Sequence, residues 1–250
     1  MKTLGVPYHL DEYIPGFDVG VPIDTEIRVD LPDSDTWPRM AVLYEEVAHV
    51  ISHQDLPVLV VSGDCTTSLG ILSGLQRAGR EPGLVWIDAH GDFNTDATSP
   101  SGYLGGLPLA LAVGIGTLTL PHQLHLRPIP QERAVLVGAR NIDPDEERLL
   151  DRSLVEQKGL DLAEADLPDG DLHLHVDIDI CDPDLVPDLL FPAPGGPTLD
   201  HVLAAIRCVI ATGRVVAVDL AATWHHNGPH AATQRRHIMR QIAASASAPT

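Results

Sequence analysis

Three ionisable residues follow one of the most apolar stretches of the sequence. The stretch "GLVWI" (83–87) leads directly into "DAHGDFN" (88–94), which contains Asp88, His90 and Asp92. Their spacing of two places the three side chains on one side of an extended backbone. Such a group is costly to desolvate at the end of a buried strand unless a cation or solvent offsets its charge. The segment therefore predicts a metal site.

Two other apolar segments end in a similar way. "LHLHVDIDI" (172–180) contains Asp177 and Asp179, and "PVLVVSG" (57–63) is soon followed by Cys65. Ligands collect beyond the carboxyl ends of the strands in open parallel sheets, so we expect these side chains to converge. Together these side chains offer more ligand atoms than one divalent ion needs, whereas two ions that share carboxylates would use them all. Carboxylates suit manganese or magnesium, an imidazole favours a transition metal, and a thiolate favours zinc or iron.

The elements that position these residues form an alternating pattern. From residue 57, short apolar runs alternate with segments of helical period, which is typical of βα units and a parallel sheet. Strands are predicted at 57–63, 83–90, 133–140, 172–180 and 214–221, and helices at 38–54, 66–79, 104–115, 144–158, 198–211 and 230–245. No linker or repeat divides the chain, so we predict an α/β fold with one domain over residues 1–250. The Pro- and Gly-rich segment 182–198 is long for a βα connection, and such loops are often functional.

The composition excludes several classes of partner. The chain has 16 Lys and Arg against 35 Asp and Glu, a formal charge of -19 that repels nucleic acid and anionic membranes. No run approaches the length of a membrane span, and the first residues lack the apolar stretch of a signal peptide. Three cysteines without disulfide spacing fit a reducing compartment. We therefore expect a cytoplasmic protein that binds neither nucleic acid nor membranes.

The three polar segments also match the signatures of a known family in order and spacing. "SGDC" (62–65), "DAHGDFN" (88–94) and "DIDICDP" (177–183) are similar to the Gly-Gly-Asp-His, Asp-Ala-His-x-Asp-x-Asn and Asp-x-Asp-x-x-Asp-Pro motifs of the ureohydrolase superfamily of arginases and agmatinases. The resemblance implies a three-layer arginase-like fold, a small-molecule substrate and two Mn²⁺ ions. It also implies a homo-oligomer, either a trimer or a hexamer.

The resemblance assigns a role to each matching residue. One ion would be held by Cys65, Asp88, Asp92 and Asp177, and the other by Asp88, His90, Asp177 and Asp179. Asp88 and Asp177 would bridge the ions, with a bridging hydroxide as the nucleophile and Asp92 orienting it. The residues matching the family's substrate contacts are Asn94, Ser101, Asp143 and Glu146.

Three positions depart from the family pattern. Cys65 stands where the family usually has a histidine ligand, so another divalent metal could replace manganese. Gly105 replaces the histidine that arginases use for proton transfer, so product protonation needs another donor. Ala222 falls where family members place a glutamate against the guanidinium. Losing that charge-assisted pair favours a substrate that is not a plain guanidinium.

Two functions remain open on this basis. The first is a binuclear metal-dependent hydrolase that cleaves a linear C–N bond of an amidine, guanidine, N-hydroxyguanidine or amide. The chain is similar to an antibiotic-biosynthesis branch that cleaves N-hydroxy-arginine and shares the cysteine, although that branch keeps the glutamate. The alternative is a catalytically altered ureohydrolase-fold protein with a binding or regulatory role. A zinc-type deacetylase is disfavoured because the "DAHGD" and "DID" segments lack its His-Asp-His set, and we interpret His225, His226 and His230 as polar loop residues.

Overall fold

Eight strands form one sheet in the computed structural model of the chain, which describes residues 1–225 and 231–247. These strands are β1 Lys2–Val6, β4 Thr25–Glu26, β5 Val58–Ser62, β6 Gly83–Ile87, β7 Ala134–Val137, β8 Glu156–Lys158, β9 Leu172–Asp177 and β10 Val215–Ala221. Their order is β4-β1-β5-β10-β9-β6-β7-β8, and every neighbouring pair is parallel. A separate antiparallel pair joins β2 Tyr8–His9 to β3 Glu12–Tyr13.

Helices cover both faces of this sheet. They are α1 Thr36–Ser52, α2 Thr67–Arg77, α3 Pro108–Ala112, α4 Thr119–Gln123, α5 Pro144–Leu150, α6 Leu199–Ala211 and α7 Ala232–Ala246. Side chains alternate between the faces along β5: Val58 and Val60 join the apolar cluster under α1 and α2, while Leu59 and Val61 join the cluster under α6 and α7. Strands buried on both faces explain the continuous apolar runs of the sequence. The predicted three-layer α/β fold is confirmed.

Helices α1 and α2 pack closely because α2 presents glycines to α1. A Cβ added at Gly70 would lie 2.9 Å from the backbone oxygen of Tyr44, and one added at Gly74 would lie 2.6 Å from Cβ of Ile51. Neither position therefore has room for a side chain. Helix α2 begins at Thr67, two residues after Cys65 in the turn that follows β5.

The predicted strands run too far at their carboxyl ends. β6 ends at Ile87 and β9 at Asp177, not at residues 90 and 180. The carboxylate of Asp177 accepts a hydrogen bond from the backbone nitrogen of Asp179 at 2.9 Å, which turns the chain into the 3-10 turn Ile178–Ile180. Both strands therefore stop where the acidic residues begin.

Two predicted helices are also wrong in part. The helix expected at 144–158 ends at Leu150, and Glu156–Lys158 form the edge strand β8 instead. The segment 104–115 divides into the 3-10 turn Leu104–Gly106 and the short helix α3, which begins with Pro108 at its first position. Among the described residues, the helices are all too short or too polar to cross a lipid bilayer.

Candidate metal centre

The acidic residues that follow β6 and β9 meet Cys65 at one edge of the sheet. Two groups of ligand-type side chains form there, and within each group the ligand atoms lie within 4.8 Å of one another. The groups are Cys65, Asp88, Asp92 and His175, and Asp88, His90 and Asp179. Asp88 belongs to both groups, as expected of a bridging carboxylate. His175 was not among the ligands predicted from the sequence.

Asp177 connects the two groups without belonging to either. Its Oδ2 accepts a hydrogen bond from the Sγ of Cys65 at 2.8 Å. Its Oδ1 accepts from the backbone nitrogen of Asp179 at 2.9 Å and from the hydroxyl of Thr223. Burial, followed by the charge of Asp88, raises the pKa of Asp177 to about 6. The bridging role expected for Asp177 remains a prediction.

Asp88 and His90 are fixed by their own loop. Oδ1 of Asp88 accepts from the backbone nitrogen of His90 at 2.7 Å, and Oδ2 accepts from the indole nitrogen of Trp86 at 3.2 Å. The His90 Nδ1 lies 2.9 Å from Asp179 Oδ2 and 3.6 Å from Asp88 Oδ1. Burial lowers the pKa of His90, but the two carboxylates outweigh it and raise that pKa to about 12. A proton on the imidazole therefore offsets negative charge that a metal ion would otherwise neutralise.

Asp92 has the least satisfied carboxylate of the cluster. It is buried, and its Oδ2 has no hydrogen-bond partner. Its backbone has φ +47°, a left-handed conformation that aspartate tolerates better than most residues, and its carbonyl accepts from the backbone nitrogens of Leu109 and Ala110 at 3.0 and 3.2 Å. Burial and the charges of Asp88 and Asp177 raise the pKa of Asp92 well above its usual range.

These observations fit divalent cations. Burial and neighbouring carboxylates also raise the pKa of Asp179, so the cluster resists ionisation without a compensating charge. The unpartnered oxygen of Asp92 is a buried acceptor of the kind that normally has a partner. The donor set, which mixes carboxylates, imidazoles and a thiol, suits transition metals better than magnesium.

A cavity of about 330 Å³ opens onto the cluster. All four predicted substrate contacts line it, namely Asn94, Ser101, Asp143 and Glu146. The long segment 182–198 also reaches this cavity, to which it contributes Leu190, Phe191 and Pro192. The cavity is thus lined by candidate metal ligands, by other polar side chains and by apolar residues.

Two of the four predicted contacts are engaged with each other. Asn94 Nδ2 donates to Asp143 Oδ2 at 3.1 Å, while Asn94 Oδ1 has no partner. Glu146 instead binds backbone: Oε1 accepts from the nitrogen of Phe93 at 2.8 Å and Oε2 from that of Asp143 at 3.1 Å. Glu146 therefore closes a capping box at the start of α5 and anchors the loop that follows β6. A direct role of Glu146 in substrate binding stays a prediction.

Tyr103 occupies the space next to Gly105. A Cβ added at Gly105 would lie 2.4 Å from the hydroxyl oxygen of Tyr103, so the phenol fills the volume that a side chain at 105 would take. The same hydroxyl is 3.1 Å from Nε2 of His9, whose Nδ1 is 3.2 Å from the carbonyl oxygen of Gly63. Burial, followed by nearby acidic groups, raises the pKa of Tyr103 well above its usual range. Sequence reasoning missed Tyr103 and His9 because neither belongs to a motif.

The segment after β10 does not bring position 222 to the cavity. Ala222 is fully buried in the apolar cluster under α6 and α7, and Thr223 lines the cavity instead. His225 is exposed, and its backbone nitrogen donates to the carbonyl of Asp188 at 2.8 Å. His226 and His230 lie outside the described residues.

Comparison with known proteins identifies relatives of the whole segment that builds this site. The sequence model of the Arginase family matches residues 7–241. An arginase from Neurospora crassa is 28% identical, with 88% of this chain and 67% of the relative aligned. An arginase from Bacillus subtilis is 35% identical over 71% of this chain and 64% of its own length. The N(omega)-hydroxy-L-arginine amidinohydrolase of Streptomyces lavendulae is 33% identical over 83% of this chain and 76% of its own length.

Solved structures agree on the fold. The arginase from Bacillus cereus superposes with a TM-score of 0.82 at 22% identity, covering 100% of this chain and 98% of the other. In sequence, however, the match covers 64% of the Bacillus subtilis arginase, so the chain aligns with less than two thirds of some relatives. The likeness in structure at this identity concerns the fold alone.

Proposed function

The chain belongs to the arginase family, and from that premise we propose that it is a metal-dependent hydrolase that cleaves a C–N bond of a small amidino compound. The observation that carries the proposal is the pair of ligand groups sharing Asp88 at the floor of a cavity, with a buried oxygen of Asp92 left unpartnered. Buried carboxylates in this number are stable only when cations or protons offset them.

We propose two ions, with manganese as the first expectation. Their ligands would be Cys65, Asp88, Asp92 and Asp177 for one ion and Asp88, His90, Asp177 and Asp179 for the other, as the family resemblance implies. When bound, such ions lower the pKa of water to near neutrality and polarise the substrate. Trp86 and Thr223 would hold the carboxylates of Asp88 and Asp177 in place through their hydrogen bonds.

Asp92 would orient the attacking water. Its unpartnered Oδ2 is a hydrogen-bond acceptor, and the rigid left-handed turn at this residue, whose carbonyl binds the start of α3, keeps the carboxylate in the cluster. An acceptor fixed in this way directs a lone pair of the water toward the substrate carbon without itself changing protonation state. Positioning of this kind is a large part of catalysis.

Tyr103 would supply the proton to the departing nitrogen. Its hydroxyl lines the cavity beside Gly105, where the family's proton-transfer histidine is absent. In the step we propose, the O–H of Tyr103 passes its proton to the amine as the C–N bond breaks. The imidazole of His9, whose Nε2 is 3.1 Å from the phenolic oxygen, relays a proton to that oxygen at the same time. His9 is partly exposed, so the relayed proton comes from solvent. Because the phenol is never left ionised, its raised pKa does not prevent the transfer.

The cavity favours a substrate whose reacting group is uncharged. Nothing acidic occupies position 222, and the wall contributed by Leu190 and Phe191 is apolar. The pair Asn94 and Asp143 offers an amide oxygen and a carboxylate to an ammonium group at the other end of the substrate. An N-hydroxyguanidine, which is less basic than a guanidine, or an amide carried by an amino acid fits these properties better than arginine or a plain amidine does.

The test is hydrolysis by manganese-loaded protein of L-arginine, agmatine, N-hydroxy-L-arginine and amino acid amides, followed as amine release. We expect turnover of at least one compound whose reacting group is uncharged, and we expect Asp92→Asn to lose that turnover. Asp161→Asn is the matched control, because Asp161 is exposed and paired only with His201 among the described residues. Protein that holds two equivalents of manganese and hydrolyses nothing would contradict the proposal.

The alternative of a binding or regulatory protein has one observation in its favour. Ala222 stands where relatives have the carboxylate that binds the guanidinium, and it is buried away from the cavity. Gly105 stands where relatives have the proton-transfer histidine. In that case the protein would bind two ions and a ligand without turnover, which calorimetric titration of the same compounds would reveal. A homo-oligomer is proposed with either function, and light scattering would test it.

A further inference from the structure

We propose that His175 is a direct ligand of the ion held by Asp88 and Asp92, supplying the imidazole that relatives provide at the position of Cys65. This inference rests on the proposed metal centre but adds a ligand from a different strand. Its carrying observation is a group of four ligand-type side chains, Cys65, Asp88, Asp92 and His175, whose donor atoms lie within 4.8 Å of one another.

The sheet register places His175 directly below the acidic residues. On β9, His175 and Asp177 point to the same face because two residues separate them. His175 pairs across β10 with Asp219 and across β6 with Trp86, whose indole stacks on the imidazole with the ring centroids 3.7 Å apart. Asp88 lies two residues beyond Trp86, at the level of Asp177. The imidazole of His175 is thus next to the carboxylates of Asp177 and Asp88, two residues before them along the strands.

Hydrogen bonds determine which nitrogen of His175 is available. Nδ1 is 3.0 Å from Oδ2 of Asp219 and 3.1 Å from the hydroxyl of Ser68. Ser68 and Ser62 both donate to the carboxylate of Asp219, at 2.6 and 3.2 Å, and so hold it in place. A carboxylate with these donors accepts from Nδ1–H, which leaves a lone pair on Nε2. That Nε2 is buried and has no hydrogen-bond partner.

This arrangement matches the environment of a metal-ligating histidine. Such a histidine donates its second ring N–H to a carboxylate, which fixes the tautomer and makes the free nitrogen a better ligand. His173 shows that burial alone does not produce it. His173 lies two residues earlier on the same face and is equally buried, but both of its nitrogens lack partners and it belongs to neither ligand group.

With His175 as a ligand, Cys65 is a further donor to the ion and does not stand alone in place of an imidazole. Cys65 donates its S–H to Asp177 Oδ2 at 2.8 Å and reaches the site from the turn after β5, whereas His175 reaches it from β9. Replacement of the usual histidine by Cys65 therefore does not remove nitrogen from the first ion's donors. With His175 added to the proposed ligands, the set becomes an imidazole, a thiol and the carboxylates of Asp88, Asp92 and Asp177, which suits zinc or iron as well as manganese.

The test compares His175→Ala with His173→Ala, each of which removes one buried imidazole from the same face of β9. Metal-free proteins are titrated with Mn²⁺ and with Zn²⁺, and the number of bound ions and their Kd values are measured by calorimetry and elemental analysis. We expect two ions in the wild type and in His173→Ala. In His175→Ala, one of the two sites should weaken by more than about 100-fold, beyond the 10- to 100-fold typical of losing a group that only supports a ligand.

A second measurement applies if a variant does not fold. In ¹⁵N-labelled wild-type protein, Zn²⁺ should shift the Nε2 resonance of His175 away from that of a free unprotonated nitrogen, while the nitrogens of His173 stay unchanged. Equal affinities in both alanine variants, or an unshifted Nε2 in zinc-loaded protein, would overturn the proposal while leaving the hydrolase intact. Metal binding through His175 in a protein that hydrolyses nothing would support this inference and refute the proposed function.

Discussion

Removal of the metal ions should invert the contribution of Asp177 to stability. Burial and the charge of Asp88 raise the pKa of Asp177 from 3.8 to about 6. Between these values the folded, metal-free protein holds a proton that the unfolded chain has released, so stability falls as the pH rises through 6. The raised pKa therefore destabilises the folded, metal-free protein by about 2 kcal/mol at pH 5 and about 3 kcal/mol at pH 7.

The Asp177→Asn variant has no such cost at any pH. We therefore expect the variant to gain stability relative to metal-free wild type as the pH rises, so that the difference in free energy of unfolding is about 1 kcal/mol larger in its favour at pH 7 than at pH 5. The comparison between proteins is needed because burial lowers the pKa of His173 to about 4, which destabilises the fold on acidification. That contribution is present in both proteins and cancels in the difference.

Urea unfolding at both pH values, after chelation and again with saturating Mn²⁺, measures the effect. With Mn²⁺ the order should reverse, since binding that favours the folded state stabilises it and the asparagine is the weaker ligand. A difference between wild type and variant that is the same at both pH values would refute the electrostatic reasoning. So would a variant that remains the more stable protein in saturating Mn²⁺.

Three further predictions concern packing and chemistry. Gly74→Ala should destabilise the protein by about 1–3 kcal/mol in urea unfolding because its methyl group meets Ile51. Gly159→Ala is the control, and it should be close to neutral because no atom lies near the added methyl group. Tyr103→Phe should lower kcat by about 10²- to 10⁴-fold with metal content unchanged, and an unaltered kcat would exclude the hydroxyl as proton donor. Glu146→Ala should lower the thermal unfolding midpoint because it leaves two backbone N–H groups unpaired, each at a cost of about 1–3 kcal/mol. If the variant instead keeps full stability and binds substrate more weakly, Glu146 contacts the substrate directly.

The central strands and the acidic residues at their ends were predictable from the sequence. Apolar runs rich in β-branched residues mark β5, β6, β9 and β10, since each is buried on both faces. The carboxylates come immediately after two of these runs, so a parallel arrangement alone brings them to one edge. The edge strand β8 was not predictable, because its sequence Glu-Gln-Lys is polar and partly exposed.

Other parts of the site depend on tertiary contacts that no local pattern contains. His175 lies inside an apolar strand, where a histidine is usually a core residue, and only the register with Asp219 and Trp86 indicates the role that we propose for it. Tyr103 is near the metal ligands because a loop folds it over Gly105. Glu146 combines both kinds of contact: its capping box with Asp143 is a local pattern, whereas its bond to Phe93, 53 residues away in the chain, is not.

The position of β10 in the sheet bears on how the protein is made. This strand is the last of the sheet to leave the ribosome, yet it lies between β5 and β9. Before it inserts, the earlier strands can pair only as two separate ribbons, β4-β1-β5 and β9-β6-β7-β8. Cys65 then belongs to one ribbon, and Asp88 and Asp177 to the other. Insertion of Val215–Ala221 is consequently the event that brings Cys65 to Asp88, Asp92 and His175, so the ligand group that contains the cysteine is completed late, together with the most non-local strand pairings.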